Sequence, residues 1–171
     1  MNYNIHPILV HFPIALLFLY SIIKILPFQK WIPSVSWKHI ERALLVVGVL
    51  GAFAALATGE TAQHLMQPNR QLVHAHSNFA SIATFLYCVL LAGEVVDYVK
   101  TRYARLMEID IIKKLFEIIQ EVLGNRVISG ALAFLGLIAI SVTGLLGGVM
   151  VYGVSADPFA AIVLKILGIS I

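Results

Sequence analysis

With 171 residues, 60% of them hydrophobic, only 12% charged, and a mean hydropathy of +0.90, the chain is too apolar for a water-soluble domain; such domains average about 45–50% apolar and about 25% charged residues. Lipid is the expected solvent, and the length suits one domain of packed helices with no separate soluble enzyme domain. The net charge of +3 does not point to nucleic acid, because no basic stretch interleaved with aromatics lies in a polar region, and the single cysteine, Cys88, excludes an intrachain disulfide or a multi-cysteine metal site.

A hydrocarbon core needs about 20 apolar residues per helix. In chain order, the first span is expected over residues 8–26, bounded by Pro7 and Pro27, and the second over 40–66. No signal peptide is expected, since nothing before Ile8 is basic and no small-residue cleavage site follows the first apolar run. The third span covers 73–98, with polar entry residues from His74, and the fourth covers 127–151. Between the last two lies a charged but patterned insert, about 101–124 within the segment 98–125. There Leu106, Ile109, Ile112, Leu115, Phe116 and Ile119 recur three or four apart, with Lys113, Lys114, Glu117 and Glu121 between them. That pattern predicts an amphipathic helix on the membrane surface, with partner binding as the rival reading. The last apolar stretch, 159–171, is too short to span and reads as an interfacial tail helix. Trp31, Trp37, Tyr3 and Tyr152 fit interfacial aromatic belts.

Topology follows from the basic residues. Lys24, Lys30, Lys38 and Arg42 flank the loop after the first span, and Lys100, Arg102, Arg105, Lys113, Lys114 and Arg126 occupy the connection after the third. These are ten of the twelve basic residues, and an even number of crossings puts both loops on one side. Basic loops are retained inside, so both termini are expected outside. A faint internal repeat accompanies this arrangement: Phe12, Phe18, Leu19 and Tyr20 match Phe79, Phe85, Leu86 and Tyr87, and Thr58-Gly59 and Thr143-Gly144 each sit near the outer end of a helix. The expected fold is therefore all-α, an integral-membrane four-helix bundle built from two related hairpins.

Five of the six histidines, His6, His11, His64, His74 and His76, fall at the outer end, with only His39 opposite. Polar side chains at membrane depth are costly and mark functional candidates. His11 lies about 6 Å down the first helix at about 1.5 Å per residue. In an up-down bundle the first and third spans are diagonal, with axes roughly 11–14 Å apart when neighbours are about 8–10 Å apart. That gap suits a porphyrin held edge-on between two axial imidazoles, His11 and either His76 or His74. The last two are about 200° apart around a helix, so only one faces inward. The competing site is a single transition-metal ion held by Glu60 and His64, four residues apart on one helix face, together with His6 or His11. Small residues at Gly48, Ala52, Ala55 and Gly59, and the pair Gly144 and Gly148, read as helix-packing surfaces. Asn78 and Thr143 read as interhelical hydrogen-bond partners.

The string His6-Pro7-Ile8-Leu9-Val10-His11-Phe12-Pro13-Ile14-Ala15-Leu16, with Thr58-Gly59 and the run from Gly144 to Val154, resembles a bacterial membrane family, domain of unknown function 2231. The resemblance spans most of the chain and implies four transmembrane helices in the inner (cytoplasmic) membrane, with a lean towards redox work. Val149 stands where that family commonly carries an acidic residue, and the insert at 98–125 departs from its compact pattern.

Three functional readings follow: a b-type cytochrome passing electrons through a haem b near the outer face, a non-catalytic membrane subunit or scaffold that docks a partner through the insert, and a histidine-based metal-binding membrane protein. No nucleophile–base pair or phosphate-cradling loop supports an enzyme. Beyond the lipid bilayer, a redox partner, a membrane-complex partner and a second copy of the chain all stay open.

Overall fold

Local chemistry sets where each helix starts and stops. Pro7, in the first turn of α1 (His6–Ile25), costs nothing because an N–H there has no helical partner anyway. A short α2 (Phe28–Trp31) in the following loop leads to α3 (Trp37–Met66), which ends where Gln67 turns left-handed at φ 44°. Asn69 then caps α4 (Arg70–Arg102), its side chain accepting from the Gln71 N–H. A 3-10 turn over Ala104–Glu108 joins α4 to α5 (Asp110–Gly124), and Asn125 caps α6 (Arg126–Tyr152) by accepting from Val127 and Ile128. After Gly153, at φ 80°, comes a second 3-10 turn, Val154–Ala156, and then α7 (Ala160–Ile166). The computed structural model describes residues 4–170, with the backbone alone at Ala104, Leu106 and Ala156; Tyr3 and Ile171, read above as belt and tail residues, lie outside the described residues. Among the described residues no strand forms.

The helices α1, α3, α4 and α6 are long and apolar enough to cross a membrane. The expected spans are present with wider bounds. α3 begins at Trp37 rather than 40, and α4 runs from Arg70 to Arg102 rather than 73 to 98. A helix whose backbone bonds are internal continues past the hydrocarbon until a cap or a left-handed residue stops it. The insert divides into the end of α4, the 3-10 turn and α5, and the tail keeps only α7 as regular helix.

α1 packs on α3 and α6, and α4 packs on α6 and α3, so α1 and α4 are diagonal. Small residues let these helices close. A Cβ at Gly48 would sit 2.5 Å from a Leu17 methyl, and one at Gly136 would sit 2.9 Å from the Tyr87 ring. Leu17, Tyr20, Leu45, Val49, Tyr87 and Ile140 fill the centre. Tyr20 and Tyr87, equivalent in the repeat, meet edge to face at 6.1 Å between centroids, an arrangement favoured by the ring quadrupole. The Tyr87 hydroxyl pairs with the Ser21 hydroxyl at 2.8 Å and reaches the Leu17 carbonyl at 3.3 Å. This links the diagonal helices. Phe12, Phe18, Leu50, Phe53 and Phe85 point outward, as a lipid-facing surface allows.

The two ends of the bundle differ. At the basic end Lys24 pairs with Glu41 at 3.3 Å, Lys38 with Asp97 at 2.7 Å, and Arg42 with both Glu94 and Asp97. There α5 lies against α4 and α6, with Leu123 over Gly93. At the opposite end α7 folds back, burying Ala160 and Leu164 against Leu72, Leu146 and Val149.

Candidate functional site

The end of the bundle beneath α7 carries the histidines. His6, in the first turn of α1, and His76, two turns into α4, are both half-buried and come from diagonal helices. Each imidazole is held by the second helix of its own hairpin. His6 Nδ1 lies 3.0 Å from Thr58 Oγ1 on α3, and His76 Nδ1 lies 2.9 Å from the Thr143 carbonyl on α6. Glycines give the rings room: a Cβ at Gly59 would stand 3.7 Å from His6 Cε1, and one at Gly147 only 3.3 Å from His76 Cε1.

Hydrogen-bond directions assign a tautomer to each ring. A carbonyl only accepts, so His76 donates from Nδ1 to Thr143. The Thr58 hydroxyl sits 3.1 Å from the carbonyls of both Ala54 and Ala55, and with its one proton on either of them it accepts from His6 Nδ1–H. Each neutral ring therefore keeps its lone pair on Nε2. An Nδ1–H anchored to oxygen with Nε2 available is the arrangement that orients a ligating histidine.

The other candidates lie elsewhere. His11 is exposed and its Nδ1 bonds to the Pro7 carbonyl one turn back on its own helix. Unlike His76 it is not half-buried, and the structure does not bring the two rings into a shared interior. Five residues separate it from His6, about 140° around the helix, and only one of the pair faces inward. His74 is also exposed, leaving His76 as the inward residue of that pair. Glu60 and His64 lie 3.9 Å apart, but their side chains are 87% and 78% exposed. The structure brings neither His6 nor His11 to them. Among the described residues no three histidine, cysteine or carboxylate side chains gather into a metal-holding set. Glu60 and His64 stay a pair, and no third ligand joins them among the described residues, so the expected single-ion site of His6, His11, Glu60 and His64 is not assembled.

Thr143 uses its hydroxyl within its own helix, on the Ala139 carbonyl, and offers its backbone oxygen to His76. Asn78 is exposed and makes no interhelical bond among the described residues. The sequence reading missed the partnership of each histidine with a threonine. The repeated Thr-Gly pairs were the available signal: Gly59 itself borders the His6 ring, and Gly147, one turn after Thr143, borders the His76 ring.

The model of the family described as a predicted membrane protein (DUF2231) matches residues 2–157, and the chain belongs to that family. No curated protein and no solved structure is detectably similar to it.

Proposed function

We propose that this member of the predicted membrane-protein family is a small b-type cytochrome, with His6 and His76 as the axial ligands of one haem. The observation that carries the proposal is the pair of inward imidazoles on diagonal helices, each anchored through Nδ1 and free at Nε2. Two nitrogens are too few for a zinc site, which takes three or four protein ligands. They are the number a porphyrin iron needs, because the macrocycle supplies the other four. Haem would supply one-electron chemistry, with its potential tuned by ligand identity, second-shell hydrogen bonds and burial. The chain's own part is to hold both rings: Thr58 and the Thr143 carbonyl orient them, Gly59 and Gly147 leave space beside them, and α7 covers that end. With the basic loops inside, the site faces the outer side of an inner membrane, where it would exchange electrons with a membrane or external partner.

A second reading uses the same hydrogen bonds structurally, as ties between α1 and α3 and between α4 and α6. An ultraviolet–visible spectrum of the detergent-purified protein, expressed with haem supply, separates the two. The cytochrome reading expects a Soret band and a sharpened α band on reduction. His6→Ala or His76→Ala should abolish the low-spin spectrum, while His11→Ala and His74→Ala leave it intact. Purified protein with neither Soret absorbance nor iron excludes the haem and leaves the structural reading.

A further inference from the structure

The basic end holds a cavity of about 190 Å³, remote from the histidines, where the end of α1, the short α2 and the starts of α3 and α6 meet. Its wall is amphipathic. Lys24, Glu41, Arg126 and Gln29 supply polar groups, and Leu26 and Phe28 supply apolar ones. Lys24 is already paired with Glu41 at 3.3 Å. Arg126 is exposed and makes no ion pair with any described residue, so the lining carries one uncompensated positive charge. The cavity is lined by the ends of transmembrane helices, the level at which lipid headgroups are expected.

We propose that this cavity binds the phosphate of an anionic phospholipid, with Arg126 as its main contact and Leu26 and Phe28 beside the first carbons of the acyl chains. A guanidinium presents planar donors that match phosphate oxygens. Basic pockets between transmembrane helices on the basic-loop side are suited to anionic headgroups, and one basic residue near such a surface contributes about 1 kcal/mol. Free phosphate shares the head chemistry but gains nothing from the apolar wall, which is why a lipid is the assigned source.

Native mass spectrometry of the detergent-solubilised protein tests this with dioleoylphosphatidylglycerol, dioleoylphosphatidylcholine and glycerol phosphate as separate probes. The expected result is one phosphatidylglycerol retained per chain in preference to phosphatidylcholine. Arg126→Gln should weaken retention roughly fivefold, the factor equivalent to about 1 kcal/mol, and Arg126→Lys, which keeps the charge but not the planar donors, should restore only part of it. Equal retention of the two lipids, or unchanged retention in a folded Arg126→Gln protein, overturns the site. Glycerol phosphate binding as tightly as the lipid overturns the assignment to a lipid.

Discussion

At the scale of single residues, the centre of the bundle depends on Tyr87. Its ring occupies the space left by Gly136, and its hydroxyl ties α4 to Ser21 and the Leu17 carbonyl of the diagonal helix α1. Hydrogen bonds between membrane helices contribute about 0.6 kcal/mol on average and up to about 1.7. Tyr87→Phe keeps the ring and the packing, so it should cost an amount in that range. Ser21→Ala should add little in the Tyr87→Phe background, because the two hydroxyls share one bond. Reversible unfolding in detergent of the wild type, both single variants and the double variant measures this, and fully additive losses would contradict the pairing.

The residue scale also shows what the sequence kept hidden. Depth along a helix was readable: counting from Pro7 and from the start of the third span places the histidines at one end. Azimuth was not. In water an amphipathic stripe marks the inner face, but α1 is apolar on every side because lipid solvates Leu and Phe as well as a protein core does. His6 and His11 were therefore equally eligible, and the expectation favoured the one that faces out. The usable signals were the small and hydroxyl residues. Gly48 and Ala52 are buried on the inner face of α3, and Gly59 borders His6 on the same stripe. Gly147 and Thr143 likewise mark the face of α6 that meets His76.

At the scale of elements, α5 is the segment whose periodicity carried information, since part of it meets water. Ile112, Phe116, Ile119 and Leu123 are half-buried towards the bundle. Ile111, Leu115, Ile118 and Val122 form a second apolar row beside the first and are exposed, while Asp110, Lys113, Lys114, Glu117 and Glu121 occupy the opposite side. One apolar quadrant thus meets protein, and its neighbour is left for the acyl-chain boundary, as in a helix lying in the membrane interface. In proteoliposomes, a nitroxide at Ile118 should collide more with oxygen than with a water-soluble nickel chelate, and one at Glu117 should show the reverse. Equal exposure of both sites to the chelate would mean that α5 stands away from the bilayer and that its apolar row serves another surface.

At the scale of the whole molecule, charge and chemistry are segregated to opposite ends. The four long helices bring ten of the twelve basic residues to one end and five of the six histidines to the other. The basic end is also tied together electrostatically: Arg42 on α3 reaches Glu94 and Asp97 on α4, and Lys24 on α1 reaches Glu41 on α3. These carboxylates sit inside the basic cluster without cancelling it, and acidic residues contribute little to membrane orientation compared with lysine and arginine. Retention of the basic loops predicts an orientation with the histidine end and both termini outside. In a Cys88→Ala background, a thiol at Met66 near the histidine end should react with a membrane-impermeant maleimide in intact cells. A thiol at Lys30, in the first basic loop, should react only after permeabilisation. The opposite pattern would invert the bundle, and with it the side of the membrane that His6 and His76 face.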